Sequence, residues 1–391
     1  MALSAGTRRT VACLLVGLGA LLIVAALLIP TYTIGKLAKT PLDLEITTIA
    51  TNQPNEDSQV LDSKSLTAPQ GSAKVDSNVP LVSQRFLTVE DPSDADEMTV
   101  QAGTTLRRTD KQGDTGVLTA NIDRVTIDRK SGEAVESNPN GSVAVTVNKD
   151  LQPVADPVQH EGVQYRFPIG TEQKSYPYFD VNARKTFDMN FVEESEINNT
   201  KVYHFQQEIP ATNLAVAAPA PTNQLTLPAE KWGVEGEGDV TMSRWYTNTR
   251  DVWVEPQTGT IVKGGEQLHM YYARSGDRPE VTALKSHLVF NEETIESQLA
   301  IAKDNTDKLS LYGRVLPIIL GIIGVIALIV GLLLGLRGGD PQPAEGQDGD
   351  EPTTPKGTVI KRGKPGNTKG AKDNPPADDA PTQQINLPKN Q

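Results

Sequence analysis

The sequence predicts a membrane-anchored α+β protein in which two transmembrane helices flank a mainly antiparallel β domain. Residues 11–29 and 315–336 form two long apolar runs that contain no charged side chain. Each run is long enough to cross a hydrocarbon core of about 30 Å as a helix. Between them, short segments alternate β-branched or aromatic residues with polar ones, and Gly, Asn, Asp and Pro separate the segments. This pattern is typical of strands joined by turns.

The charges beside the apolar runs predict the orientation. Arg8 and Arg9 precede the first run and Arg337 follows the second, and such residues favour the cytoplasmic side. We therefore expect a two-pass plasma-membrane protein with both termini cytoplasmic, and an extracytoplasmic domain. Its predicted parts are a cytoplasmic stub at 1–10, a helix at 11–29, the external β domain at 31–314, a helix at 315–336 and a tail at 337–391. A cleaved signal peptide is the alternative for the first run, but that run exceeds the usual 7–15 residues and no small-x-small site follows it.

The charge balance limits the partners of the external domain. The chain has a formal net charge of −12. Because the stub carries two arginines and the tail balances its acids and bases, the external domain carries about −14. Nucleic acids select basic patches, so they are not expected as partners. The single cysteine, Cys13, lies in the first apolar run, so the external domain has no disulfide.

Several segments carry local signals. Asn291 is expected to cap a helix that has Glu292 and Glu293 in its first turn, and residues 295, 299, 302, 306 and 309 form one stripe along it. The stripe is expected to pack on the β domain, and a coiled-coil or partner-binding helix is the alternative. The polar segment 50–80 and the Ala/Pro-rich segment 210–230 are expected to be irregular connections. The tail has no aromatic residue and is expected to be disordered.

Two segments of the β domain share a pattern. Residues 125–135 read VTIDRKSGEAV and residues 252–262 read VWVEPQTGTIV. Both predict a hairpin in which an acid and a Ser or Thr hydrogen-bond the turn and Gly takes the left-handed position. The similarity reflects either common turn chemistry or an ancient duplication.

The aromatic residues are concentrated. Nine of the 19 lie between Tyr165 and Phe205, and five more lie between 245 and 272. Aromatic side chains bury the largest area per residue, so these stretches are expected to build the core. The alternative is an apolar cavity for an acyl chain. The candidate residues for the ligand or core cluster are Tyr176, Tyr178, Phe179, Trp245 and Trp253.

Glycines in the second apolar run predict a helix contact. Gly331 and Gly335 lie on one face and permit close backbone approach. They are expected to pack against the first run near Gly17 and Gly19, or against another copy. Ordinary glycine content of membrane helices is the alternative.

The sequence contains no recognisable catalytic constellation. The four histidines are isolated, and no nucleophile elbow or phosphate-binding loop is present. We therefore expect no enzyme activity, no metal site and no cofactor.

Three longer motifs stand in the β domain. They are YRFPIGTEQKSYPYFD at 165–180, YHFQQEIP at 203–210 and WYTNTRDVWVEPQTGTIVKGGEQ at 245–267. They resemble an actinobacterial family of unknown function that is labelled porin PorA, and the resemblance covers most of residues 81–336. It implies an envelope protein of mycolic-acid-bearing bacteria such as corynebacteria. The architecture is also similar to that of class B scavenger receptors, which place a β-rich domain with an apolar tunnel between two terminal helices, although this is analogy only.

The leading functional expectation is that the external domain binds or hands on a lipid or another apolar envelope component. A scaffold or assembly factor for envelope machinery and a porin or channel component are the alternatives. The expected partners are the lipid bilayer, a lipid or acyl ligand, and either a second copy or an envelope protein.

Overall fold

A computed structural model of the chain describes residues 5–53, 55–147 and 153–336. The predictions for residues 1–4 of the stub and for the tail at 337–391 lie outside the described residues. The helices are α1 (Ala5–Leu37), α2 (Ser63–Thr67), α3 (Leu214–Ala217), α4 (Ala229–Trp232), α5 (Glu292–Ser310) and α6 (Leu316–Leu336). Short 3₁₀ turns occupy Gly113–Gly116 and Pro221–Asn223.

Fifteen strands of the described chain form one sheet, which confirms the predicted β domain and its antiparallel pairing. The strands are β1 (Glu45–Asn52), β2 (Gln59–Asp62), β3 (Lys74–Asp76), β4 (Leu81–Glu90), β5 (Glu97–Arg108), β6 (Val117–Asp128), β7 (Gly141–Val147), β8 (Pro153–Val158), β9 (Tyr176–Asp180), β10 (Lys185–Ile197), β11 (Thr200–Asn213), β12 (Gln224–Pro228), β13 (Asp239–Glu255), β14 (Thr260–Ala273) and β15 (Val281–Phe290). Their order in the main path is β8-β7-β6-β5-β4-β1-β15-β14-β13-β11-β10-β9.

The sheet curls into a ring that joins β9 to β6 through two short bridging segments, at 133–135 and 162–163. Five backbone hydrogen bonds make this closure: Asp128 N to Glu133 O (2.8 Å), Val135 N to Thr126 O (3.0 Å), Ala134 N to Gly162 O (2.9 Å), Val163 N to Pro177 O (2.8 Å) and Phe179 N to Val163 O (3.0 Å). Ten strands and the two bridges therefore enclose an interior. Because side chains alternate across each strand, every second residue points into it.

One part of the ring wall has a gap. The last residue of β15 that pairs with β1 is Phe290, opposite Ala50. The last residue of β15 that pairs with β14 is Val289, opposite Gly265. Residues 45–49 and 260–264 therefore face each other across a space that no described strand fills, and α5 covers it.

The helix α5 confirms the predicted cap and stripe. The Asn291 side chain accepts a hydrogen bond from Thr294 N at 3.0 Å. Ile295, Leu299 and Ala302 are buried against Val202 and Val262 of the sheet, so the stripe packs on the β domain. One π-helical turn, at Leu311–Val315, then connects α5 to α6.

The two similar hairpins form the predicted turns. Asp128 accepts from Ser131 N at 2.6 Å, and Glu255 accepts from Thr258 N at 2.9 Å. Gly132 and Gly259 have φ of +70° and +71°. A Cβ on either glycine would collide with the backbone of segment 166–167, so both turns press on the same segment.

Two expected loops contain regular structure instead. Segment 50–80 holds the end of β1 together with β2, α2 and β3, and segment 210–230 holds the end of β11 together with α3, α4 and β12. In the first segment β2 pairs with β15 and with β3, and in the second β12 pairs with β13. The mostly polar composition of these segments concealed the strands in the sequence. Their few apolar residues, such as Val60 and Leu66, are nevertheless buried against larger side chains of the core.

The apolar helices α1 and α6 pack as an antiparallel pair. A Cβ on Gly19 would lie 2.7 Å from Gly324 O, and a Cβ on Gly331 would lie 3.0 Å from Ala12 O. Both helices are long and apolar enough to cross a membrane. Most of their large side chains are exposed, such as Leu27 at 68% and Ile318 at 61%. Apolar surface of this extent is typical of a membrane or protein contact.

The structure places the two predicted glycines on the side of α6 that faces α1. Gly331 lies against Ala12 and Val16, whereas Gly335 reaches only the Ala12 side chain, at 3.8 Å. The closest approach is instead between Gly19 and Gly324, and Gly17 has no neighbour within 4 Å of its would-be Cβ. Gly17 itself therefore makes no contact, whereas Gly331 meets the adjacent Val16 and Gly19 meets Gly324.

Candidate functional site: a cavity inside the β ring

The ring encloses a cavity of about 120 Å³ next to α5. Its wall on one side comes from the inward-facing positions of β1, β4, β5 and β6 and from the residue before β1. These positions are mostly aliphatic: Leu44, Ile46, Leu87, Met98, Val100 and Ile127. Leu87, Met98, Val100 and Ile127 are also packed together as a buried cluster. Because side chains alternate between the two faces of a strand, the inward-facing residues of these four neighbouring strands form one continuous apolar surface.

The helix α5 completes the cavity wall at the gap in the ring. Gln298 and Ile301 of α5, together with Phe290 at the end of β15, line the cavity. Because α5 leads into α6, the part of the chain that covers the gap is continuous with an apolar helix. The cavity thus lies between the sheet and the helical part of the protein.

A polar layer crosses the middle of the ring and is centred on Arg250. Its Nε donates to Glu266 at 2.8 Å, one terminal nitrogen donates to Gln207 at 2.7 Å, and the other donates to Asp180 at 2.7 Å. Tyr246 donates to the same Asp180 oxygen at 3.1 Å. All three guanidinium nitrogens of Arg250 are therefore bonded.

The charges in this layer stabilise one another. Burial alone lowers the pKa of Arg250, but Glu266 and Asp180 raise it well above its ordinary value. Burial likewise raises the pKa of Glu266, but Arg250 and Arg85 outweigh burial and hold it below its ordinary value. Both groups are consequently charged at neutral pH, and the layer is an ion-pair network.

A second polar cluster surrounds the buried Asp123. One carboxylate oxygen of Asp123 lies 2.9 Å from His160 Nε2, and the other accepts from Gln164 Nε2 at 2.7 Å and from the Tyr165 hydroxyl. Burial, followed by the charge of Asp123, raises the pKa of Tyr165 well above its ordinary value. The Tyr165 hydroxyl is therefore a hydrogen-bond donor, and Asp123 is fully occupied.

A smaller cavity of about 90 Å³ adjoins the first on the other side of the polar layer. The two cavities share part of their walls, including Arg85, Tyr178, Arg250 and Glu266. The smaller one is lined by more polar residues, such as Thr104, Asn121 and Asn182. The ring interior is thus apolar next to α5 and polar farther away.

Three residues that line the larger cavity each have a buried polar atom without a hydrogen-bond partner. These atoms are Gln164 Oε1, Gln298 Nε2 and Arg166 Nε. Buried polar atoms are nearly always bonded, so each of these needs an explanation. Burial lowers the pKa of Arg166 to about 10, and Glu255 offsets part of that effect, so Arg166 is cationic at neutral pH.

The five aromatic candidates occupy different places. Tyr178 lines both cavities, with its ring under the Arg250 guanidinium at 5.4 Å. Phe179 lines only the smaller cavity and packs on His160. Tyr176 lies in the core with Phe167 and Phe205.

The two tryptophans lie away from both cavities. Trp253 stacks on His204, with ring centroids 4.4 Å apart, under the Lys263 ammonium. Trp245 donates to Ala273 O at 3.3 Å and covers Gly276. The structure therefore brings Tyr176 and Tyr178 into one cluster and separates them from Trp245 and Trp253.

Sequence reasoning missed the charged and amide residues of the interior. Arg85 and Arg250 each lie two residues before an apolar residue that lines the same cavity, Leu87 and Val252 respectively. An arginine at an inward-facing position of a predicted strand was the signal that could have identified these residues. Gln298 lies one position from the stripe residue Leu299, and only the position of α5 over the gap shows that it faces the cavity.

The fold and the two apolar helices define a membrane protein whose β ring encloses an interior cavity. The sequence model of the Porin PorA family matches residues 11–333 of the chain. A protein named Porin PorA from Corynebacterium amycolatum is 32% identical over 381 residues, covering 83% of this chain and 98% of the relative. Another of that name, from Corynebacterium resistens, is 30% identical over 411 residues, covering 84% and 97%. The chain therefore belongs to the Porin PorA family.

Proposed function

We propose that the β domain binds the acyl part of an envelope lipid in the larger cavity. The observation that carries this proposal is an aliphatic cavity of about 120 Å³ whose wall is completed by α5. A dry cavity of about 150 Å³ holds a molecule of the size of benzene. This cavity therefore holds only one end of the lipid, and the rest of the acyl chain extends past Gln298 and Ile301 through the gap.

The proposal includes a two-pass arrangement in the plasma membrane. Both termini are cytoplasmic and the β domain is extracytoplasmic. The antiparallel packing of α1 and α6 and their exposed apolar side chains support it. In this arrangement the gap covered by α5 connects, through α6, to the bilayer from which a lipid would enter.

A fusion experiment tests the arrangement. A reporter that is active only in the cytoplasm is expected to work after Gln391 and to fail when inserted near residue 71, in the turn between α2 and β3. Activity at residue 71 would reverse the orientation, and inactivity at both sites would place the C-terminus outside.

A cavity-filling substitution tests the binding site. Thr48 lines the cavity, whereas its neighbour Thr47 is exposed on the opposite face of β1. Thr48→Phe is expected to abolish binding of a neutral fluorescent C16 probe to the detergent-solubilised full chain and to leave cooperative unfolding intact. Thr47→Phe, the matched control, is expected to bind like the parent.

Ala50→Leu fills the same cavity with a smaller side chain and guards against misfolding of the first variant. If folded Thr48→Phe and Ala50→Leu both bind the probe like the parent, the cavity is not the site, and a scaffold role would then explain the chain better.

A channel is the second candidate, because both relatives carry the name porin and the two cavities share a wall. A continuous passage would have to cross the Arg250 layer, which fills the section between them. We expect no stepwise conductance from the purified chain in planar bilayers. Conductance that changes with Arg250→Met would support the channel instead.

A further inference from the structure

Among the described residues that line the larger cavity, more buried donors than acceptors lack a partner. Arg166 Nε and Gln298 Nε2 are donors without a partner, and Gln164 Oε1 is the one such acceptor among the described residues of this lining. Donors of this kind are satisfied by oxygen atoms that only accept. A carboxylate or a phosphate supplies several such atoms, whereas an alcohol supplies one oxygen that also donates.

Arg85 adds a cation at the boundary between the apolar and polar parts of the interior. Its side chain lines both cavities. Among the described residues, Arg85 makes no ion pair, and its one hydrogen bond runs from Nε to Thr104 at a long 3.4 Å. Its guanidinium lies 5.8 Å from the centre of the Tyr165 ring. The terminal nitrogens of Arg85 therefore have no protein partner among the described residues, in a side chain that lines both cavities.

The nearby carboxylates already have partners. Glu266 accepts from Arg250, and Asp123 accepts from Gln164 and Tyr165 and contacts His160. If either carboxylate moved to pair with Arg85, its present buried partners would lose their hydrogen bonds, which is energetically costly. The contrast with Arg250, whose nitrogens are all bonded, marks Arg85 as the cation that can accept an external anion.

We infer that the ligand is an anionic amphiphile whose head, a carboxylate or a phosphate, binds Arg85 while its acyl chain lies against the aliphatic wall. Leu87 follows Arg85 by two residues on β4 and faces the same cavity, so head and chain meet neighbouring positions of one strand. Arg166, which lines the same cavity and has an unpartnered Nε, is the further donor available to the head. This inference rests on the proposed acyl site and adds the charge of the ligand.

Competition against the neutral C16 probe tests the inference in the detergent-solubilised full chain at pH 8. Hexadecanoate and hexadecyl phosphate are expected to displace the probe at concentrations roughly tenfold or more below that of hexadecanol, as expected for hydrogen bonds to a charged group. Which of the two anions is stronger identifies the head. Butyrate and inorganic phosphate are expected not to compete, because they lack the chain.

Substitution of Arg85 then tests whether this residue causes the stronger competition by the anions. Arg85→Gln is expected to remove most of the advantage of the anions and to leave hexadecanol unchanged, and Arg85→Lys is expected to keep part of it. Arg107→Gln, on the exposed face of the neighbouring strand β5, is the matched control and is expected to behave like the parent.

The outcomes separate the two proposals. If the parent binds neither the probe nor any amphiphile, the acyl site itself fails. If hexadecanol competes as well as the anions, if hexadecylamine competes best, or if butyrate equals hexadecanoate, the anionic amphiphile is wrong although the cavity still binds. An equal loss for all ligands in Arg85→Gln would make Arg85 a structural residue.

Discussion

The polar layer and the apolar cavity lie side by side inside one ring, but they differ in how completely their atoms are paired. In the layer, Arg250 bonds through every guanidinium nitrogen, and Asp180 is fully buried with partners on both oxygens. In the cavity, Gln164, Gln298 and Arg166 each keep an enclosed atom without a partner. A satisfied buried network rigidifies a fold, whereas unpaired atoms beside empty space favour a ligand. The polar layer is therefore expected to stabilise the ring, and the cavity is expected to bind the ligand.

Removing Arg250 gives the largest expected effect. Arg250→Met leaves Asp180 and Glu266 without their cation, and breaking such a buried pair costs about 3–5 kcal/mol of unfolding free energy. Arg274→Met is the control, because the Arg274–Glu280 pair has a half-exposed arginine, at 52%, and exposed pairs contribute about 0–1 kcal/mol. Chemical unfolding of the detergent-solubilised chain measures both. Equal losses would show that the layer does not support the ring.

Truncation of packed and cavity-lining residues tests the other side of the comparison. Phe205 is fully buried among Phe167, Tyr176 and Phe191, so Phe205→Ala is expected to cost about 3–5 kcal/mol. Leu87→Ala is expected to cost about 2 kcal/mol, the low end for such changes, because space already adjoins Leu87. The same unfolding experiment applies. A larger loss for Leu87 would mean that the cavity is closed in solution.

The pH dependence of stability sharpens the role of Glu266. Because its pKa in the folded chain lies below the ordinary 4.5, its contribution to stability is complete above that pH and is lost as the pH falls through the lowered value. The parent is therefore expected to lose stability below about pH 4.5, and Glu266→Gln to lose less over that range. Glu90→Gln, on an exposed position of β4, is expected to keep the profile of the parent. Unfolding midpoints measured between pH 3 and 7 test this expectation. Identical profiles for the parent, Glu266→Gln and Glu90→Gln would show that Glu266 does not contribute to the ion-pair network.

The helix pair shows the same contrast between filled and open positions, with the smallest expected effect on the β domain. Ala26 and Gly321 have Cβ positions 3.8 Å apart, which suits a disulfide. In a Cys13→Ser background, Ala26→Cys with Gly321→Cys is expected to crosslink. Gly19→Ile is expected to reduce the yield, because its side chain meets Gly324 and Leu328, whereas Gly17→Ile is expected to leave it unchanged. Full crosslinking in Gly19→Ile would contradict the observed contact.

The residues of the site were only partly within reach of sequence reasoning. Tyr178 was singled out for its aromatic neighbours and does line the cavity, whereas Trp245 and Trp253 came from the same reasoning and lie elsewhere. Aromatic density marks burial, but it does not distinguish a packed core from a lined space. Arg85, Arg250 and Gln298 were missed because their roles depend on contacts with residues that are far apart in the chain.

By itself, the sequence determined the elements whose cause is local. The two apolar runs, the Asn291 cap, the two hairpin turns with Gly132 and Gly259, and the antiparallel strands all follow from side-chain pattern over a few residues. Only the tertiary structure decided what depends on distant pairing. The bridges at 133–135 and 162–163 close the ring, the early end of β15 opens the gap, and α5 covers it. Whether an interior position is filled or empty depends on side chains contributed by many strands at once, and no single segment contains that information.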